Sequence, residues 1–126
     1  MAPSVTLDTG ALIGIERGTR RMQALLDEAA AVSAQFNVPA GVLAQAWRGR
    51  PPQARLARFL NLSNVSVVPL DDAGARAAGV LCAHSDVNNV VDASVVVCAM
   101  LADDSVVTTD PNDLRRLNPK LRTVVI

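Results

Sequence analysis

Ser4-Val5-Thr6-Leu7-Asp8-Thr9-Gly10-Ala11-Leu12-Ile13-Gly14-Ile15-Glu16 is the stretch from which the fold can be read. Residues 4–7 are short and mostly apolar, with β-branched Val5 and Thr6, as a buried strand requires. The run stops at an acid, Thr9-Gly10 form a turn, and residues 11–16 take on helical character. A short buried strand that ends on an acid and leads directly into a helix is the opening of a β-α-β unit.

The same order repeats downstream. A helix is predicted over 20–31, with Met22, Leu25, Leu26 and Ala29 on one face, and a strand over 32–36. Pro39 suits the first turn of a helix running to Arg48, because its missing N–H would be unpaired there anyway, and Gly49 with Pro51-Pro52 closes that helix. A further helix over 53–61 precedes a strand over 66–69, and Asp71-Asp72 open a small-residue helix through His84. Residues 85–90 read as loop, Asp92 begins a strongly apolar helix to Ala102, and 106–108 form a strand. Residues 111–117 hold a turn and a short helix, and 122–126 form a last strand. Short apolar strands alternating with helices predict an α/β fold, a three-layer α/β/α sandwich on a mainly parallel sheet. At 126 residues, without repeats or low-complexity linkers, the expectation is a single domain over 1–126.

Composition narrows the function. Half of the residues are hydrophobic, yet no apolar run approaches the roughly 20 residues of a membrane span. The first residues lack the basic and apolar regions of a secretory signal, so a cytoplasmic protein with no membrane partner is expected. Cys82 and Cys98 sit among Ala, Val and Leu, as reduced thiols do. The only aromatics are Phe36, Trp47 and Phe59, too few for a base-stacking platform. Basic and acidic residues balance at 12 each, but no Asp or Glu occurs over 29–70, where Arg48, Arg50, Arg55 and Arg58 give a net +4. Helical spacing is expected to cluster Arg48, Arg55 and Arg58 around Pro51-Pro52, as a grip for RNA phosphates.

The acids carry the chemistry. In open α/β sheets the functional crevice lies at the carboxyl ends of the strands. Asp8 and Asp110 follow strands, and Asp92 opens the most apolar helix, so all three can converge on one edge. Converging carboxylates raise one another's pKa values unless a cation sits among them, and hard oxygen ligands suit Mg²⁺ or Mn²⁺. Such an ion lowers the pKa of a bound water and stabilises charge on a phosphoryl group, so phosphodiester hydrolysis is the natural reaction. Thr9 and Thr109 neighbour the strand-end acids, where a hydroxyl can orient a carboxylate, and Asp113 stands one helical turn after Asp110.

Leu7-Asp8-Thr9-Gly10-Ala11-Leu12-Ile13, then Val38-Pro39 through Gln45-Ala46-Trp47-Arg48, then Val90-Val91-Asp92-Ala93-Ser94, then Thr108-Thr109-Asp110-Pro111-Asn112-Asp113 stand in an order that resembles the PIN-domain ribonucleases, specifically the VapC toxins of bacterial toxin-antitoxin pairs. The resemblance covers nearly the whole chain. It implies the PIN fold and a metal-dependent endoribonuclease whose acids are Asp8, Asp92 and Asp110. It also implies a transfer RNA or other structured RNA as substrate, a cognate VapB-type antitoxin that holds the enzyme inactive, and a homodimer. One position departs from the pattern: where the family carries a Glu, this chain has Gln45. Its neutral amide oxygen can still touch a metal or its water, but brings no charge.

Other classes fit less well. A phosphorelay receiver needs an acid on its middle strand, which the acid-free stretch denies, and a dehalogenase-type phosphatase needs one where Gly10 stands. No P-loop or dinucleotide fingerprint occurs. Cys82 and His84 cannot close a zinc site by themselves. The remaining alternative is a PIN-like module that binds RNA or an antitoxin without cutting, and it rests on Gln45.

Overall fold

The computed structural model describes residues 2–126; Met1, the first residue of the expected single unit, lies outside them. Five strands, β1 (Ser4–Leu7), β2 (Gln35–Pro39), β3 (Val65–Val68), β4 (Ser105–Thr108) and β5 (Thr123–Val125), form one sheet in the order β3-β2-β1-β4-β5. Every pairing is parallel. The mainly parallel α/β/α sandwich expected from the alternation is therefore the observed fold, with the parallel pairing complete.

Among the described residues seven α-helices connect the strands: α1 (Thr9–Arg17), α2 (Arg20–Ala31), α3 (Ala40–Ala46), α4 (Ala54–Leu60), α5 (Asp72–Ser85), α6 (Val90–Ala102) and α7 (Asn112–Leu117). From β1 the chain steps outward to β2 and β3, then returns to place β4 on the other side of β1. Right-handed crossovers put the outward connections on one face and the returning ones on the other. The reversal falls between β1 and β4, the topological switch point at which a parallel sheet opens a crevice beyond its carboxyl edge. That edge carries Asp8 and Asp110.

The core is aliphatic. Leu7, Leu12, Met22, Val38, Leu56, Val95, Val96, Val106, Val107 and Leu114 are all fully or almost fully buried. Phe36 and Phe59 meet edge to face with ring centroids 5.3 Å apart. Seven consecutive residues of α6, from Ala93 to Ala99, are buried, which explains its all-apolar sequence as a core helix. Among the described residues no single helix is long and apolar enough to cross a membrane; α5 and α6 pass that test only as a pair bent by 113°.

Several boundaries differ from the sequence reading, each for a local reason. The second strand begins at Gln35, because Val32 ends α2 and Ser33 adopts a left-handed φ of 54° that turns the chain into the sheet. Pro39 closes β2 opposite Val68 and leads into α3. That helix stops at Ala46 because the buried amide of Gln53 takes over its exit. Gln53 donates to the Ala46 carbonyl at 2.7 Å and accepts from the backbone N–H of Arg48 and Gly49 at 2.7 and 3.0 Å. Thr9 and Gly10 are the first residues of α1, not a separate turn, because Asp8 caps that helix. Asp92 is not the start of α6, which begins two residues earlier behind Asn89.

Opposite the acid edge, the sheet is tied by one buried carboxylate. Asp104, 3% exposed, accepts hydrogen bonds from Ser4 Oγ, from Thr6 Oγ1 at 2.8 Å and from Asn37 Nδ2 at 2.9 Å. It joins β1 and β2 to the start of β4. The thiol of Cys98 lies 3.8 Å from Thr6 Oγ1, and burial pushes its pKa up.

Candidate functional site

Asp8 ends β1 and caps α1: its Oδ1 accepts the backbone N–H of Ala11 at 3.0 Å. Its own N–H donates to the Val107 carbonyl at 3.2 Å, which ties the acid to the end of β4. Asp110 lies two residues beyond β4. Its N–H donates to Thr108 Oγ1 at 3.0 Å, and its Oδ1 accepts from Asn112 N–H at 3.2 Å in a turn that launches α7. Asp92 sits in the first turn of α6, where the Asn89 side chain caps the helix and accepts the Asp92 N–H at 3.0 Å. Because Asn89 satisfies the helix end, the Asp92 carboxylate is left free to face the crevice.

These acids feel one another. The Asp8 carboxyl is held above the usual range, first by burial and also by the charge on Asp110, offset in part by hydrogen bonding from Thr108, Ala11 and Gly10. Asp92 is likewise raised by burial, then by the charges of Asp113, Asp8 and Asp110 in that order. Asp8, Asp92, Asp110 and Asp113 thus share one field at the switch point. They do not form a closed ligand cage: among the described residues no three His, Cys, Asp or Glu side chains stand close enough together to hold a metal ion as they are. The donor set still fits a hard cation in kind, being carboxylates and hydroxyls with an excess of negative charge that an ion would relieve.

Gln45 and Thr9 meet beside this centre, with the Thr9 hydroxyl donating to Gln45 Oε1 at 2.5 Å. The amide oxygen is thereby tied to α1. Glu16, which the sequence reading did not single out, lines a groove together with Gln45 and Ile13. The helical spacing of 9, 13 and 16 was the available signal.

Thr109 acts on the site through packing. A Cβ added at Gly10 would lie 3.0 Å from Thr109 Cγ2 and 3.2 Å from its Cβ, and closer still to its hydroxyl, so the first turn of α1 rests directly on the residue before Asp110. In an open helix Gly→Ala stabilises by about 0.5–1 kcal/mol. Here the sign reverses: Gly10→Ala is expected to destabilise by about 1–3 kcal/mol, the usual cost of overpacking. Thermal melting of Gly10→Ala, and of the double variant with Thr109→Ala, checks this; the second change should restore part of the loss.

The three arginines expected to cluster are separated. Arg48 lies near Gln45 and donates to the Ala44 and Trp47 carbonyls at 3.3 and 2.8 Å. Arg55 and Arg58 line a different groove with Met22, Leu26, Phe59 and Leu62, and the Arg55 guanidinium packs against Gly18. The expected cluster around Pro51-Pro52 does not form, because the turn at 51–53 redirects the chain and sends Arg48 to one groove and Arg55 and Arg58 to another.

A family model described as PIN domain matches residues 5–118 of the chain. No curated protein sequence matches it significantly. Among solved structures the chain is similar to the VapBC2 crystal structure from Rickettsia felis, bound to a DNA fragment from their promoter, at 16% identity and a TM-score of 0.76, covering 98% of each chain. It is also similar to a toxin-antitoxin complex from Klebsiella pneumoniae, at 18% identity and a TM-score of 0.73 over 96% of each chain. FitAcB from Neisseria gonorrhoeae follows at 16% identity and a TM-score of 0.64, covering 94% of this chain and 95% of that one. At such identities the likeness is one of fold.

Proposed function

The chain belongs to the PIN-domain family, and on that premise we propose that it is a metal-dependent endoribonuclease, the toxin of a toxin-antitoxin pair. PIN domains are generally nucleases that use divalent metals. The observation that carries the reading here is the mutual field of Asp8, Asp92, Asp110 and Asp113 at the β1/β4 switch point. Acids poised to repel one another at a crevice are what a divalent cation and a phosphate require.

In this reading Asp8, Asp92 and Asp110 hold Mg²⁺ or Mn²⁺, with Asp113 beside them. The ion supplies Lewis acidity toward the scissile phosphate and a bound water of lowered pKa. The chain supplies position. Asp8 is fixed by its cap to Ala11, and Asp110 is fixed by Thr108 and its turn. Thr9 orients Gln45, while Thr109 holds the end of β4 against α1. Arg48, Arg55 and Arg58 are exposed cations for RNA phosphates. The substrate is a transfer RNA or another structured RNA.

A VapB-type antitoxin as the inhibiting partner is part of the same reading, supported by similar folds in solved toxin-antitoxin complexes. So is a homodimer, for which α5 and α6 offer exposed apolar side chains at Val80, Val90, Met100 and Leu101. The cytoplasm is the compartment proposed.

Cleavage of a total RNA pool by the purified protein, with Mg²⁺, with Mn²⁺ and with EDTA, tests the activity. Discrete fragments that require metal are expected; intact RNA under all conditions, from folded protein free of antitoxin, removes the reading. A second reading, a module that binds without cutting, is favoured by Gln45, whose oxygen is engaged by Thr9. Gln45→Glu separates the two. Thr9 can donate equally well to a carboxylate, so the fold should persist while Mn²⁺ affinity rises by at least about tenfold. Equal or weaker Mn²⁺ binding by calorimetry contradicts a metal-facing role for position 45. Cleavage gained only on Gln45→Glu favours the binding module.

A further inference from the structure

Two grooves, each of about 310 Å³, run along α1 and share Ile13 and Arg17. One runs from Gln45 to Arg48 and Arg50. The other begins at Gly10 and Thr109, next to the site acids, and ends among Arg17, Arg20 and Arg21. We infer that this second groove is the track on which the phosphate backbone of the RNA strand leaves the acid centre, with Arg17, Arg20 and Arg21 as positioning residues. The inference rests on the ribonuclease reading above.

Charge and continuity support it. The ion pairs among the described residues are Arg76–Asp72, Arg116–Asp113 and Arg122–Asp103, so none of the three groove arginines has a carboxylate partner. All three are exposed, and no acid lines their groove. A strand whose scissile phosphate sits among aspartates needs cations on either side to hold it against their repulsion. Arg17 stands nine residues after Asp8, about 13 Å along the helix at 1.5 Å per residue, so it meets the strand beyond the scissile position. Phe36 and Phe59 are buried, and the exposed Trp47 does not line this groove, which leaves backbone charge as the principal means of gripping a flexible strand there. An acidic segment of a protein partner would also match the charge, but Gly10 and Thr109 set one end of this groove two residues after Asp8 and one before Asp110, where a substrate strand must pass.

The test uses an Asp8→Asn background and a fluorescein-labelled single-stranded RNA of mixed sequence, about 16 nucleotides long to cover a typical single-strand site. Binding is read by anisotropy against salt. Arg17→Gln, Arg20→Gln and Arg21→Gln together should weaken binding by at least about tenfold and reduce the salt slope by about 2, at roughly 0.7 per phosphate contact. The matching Lys variants should keep the slope, and Arg76→Gln on α5 should change neither quantity. In the Asp8 parent, the triple Gln variant should raise KM and leave kcat nearly unchanged. A folded triple variant with the parent's affinity and slope overturns the inference. So does one that binds RNA normally but loses binding to labelled polyglutamate, which would assign the groove to an acidic protein segment. If the triple variant melts early, the single Gln variants decide, with unchanged slopes overturning the inference. Groove-dependent binding with no cleavage by the parent would sink the nuclease reading and leave the track standing; normal cleavage and binding by the triple variant would do the reverse.

Discussion

Asp8→Asn is expected to cut RNA at least about a hundred-fold more slowly than the parent, beyond the effect usual for groups that only support a metal ligand, and to melt no lower at neutral pH. The two halves have separate causes. Loss of the carboxylate removes charge from the proposed metal site, where each acid is needed to hold the ion. The fold survives because Asn caps helices as well as Asp does, and the side-chain oxygen of the substituted amide can still accept the Ala11 N–H.

The stability half follows from linkage. Burial and the neighbouring Asp110 raise the Asp8 pKa above its ordinary 3.8, so the folded state holds this proton more tightly than the unfolded chain. A raised acid favours folding at low pH and opposes it once pH has risen through the folded-state value. Asp8→Asn lacks that penalty. Its melting temperature should therefore match or exceed the parent's at pH 7 without metal, with the difference shrinking as pH falls toward 3.8. Mn²⁺ should raise the parent's melting temperature, as any ligand bound only by the native state does, and should raise the variant's much less. Unchanged cleavage by Asp8→Asn would remove this acid from the chemistry; a lower melting point at every pH would show that its cap was not preserved.

The largest expected loss of stability lies far from the acids. Asp104→Ala should cost about 3–5 kcal/mol, since it strands three hydrogen-bond donors, each worth about 1–3 kcal/mol when buried and unpaired. Thr6 is fully buried, whereas Ser4 and Asn37 can partly reach water, which sets the total below a simple sum. A loss of this size corresponds to a fall of roughly 10–20 °C in melting temperature for a chain of this length. Asp104→Asn keeps one acceptor oxygen and should lose less. Urea unfolding of both variants checks the order; equal stability of Asp104→Ala and the parent would mean that strand pairing alone holds this edge.

Much of the fold was legible locally. Helix α2 has the bounds that its apolar spacing predicts, and the small-residue helix after Asp71 begins where that cap indicates. The acids at the ends of β1 and β4 could be placed from short apolar runs that stop at Asp. Two helix boundaries moved where a side chain from outside the predicted helix takes its end. Gln53 ends α3 from seven residues away, and Asn89 takes the cap that Asp92 would otherwise fill. Absence of acids along the chain points to a basic patch at 48–58. It gives no sign of Arg17, Arg20 and Arg21, because Glu16, Asp27 and Glu28 offset them in sequence, though none of these acids lines their groove.

The sequence by itself determined the alternation of strands and helices, the parallel sheet and the placement of acids at strand ends. All of these follow from periodicity and from where apolar runs stop, which are properties of neighbouring residues. Only the tertiary structure decided that β4 lies beside β1, that Asp92 and Asp113 share a field with Asp8, and that two arginine-lined grooves flank α1. The order β3-β2-β1-β4-β5 depends on pairing between segments about a hundred residues apart, reinforced by Thr6 and Asp104. Backbone hydrogen bonds between strands are the same whichever strands meet, so the choice of neighbour is made by how the helices pack and by buried polar contacts that no local pattern records.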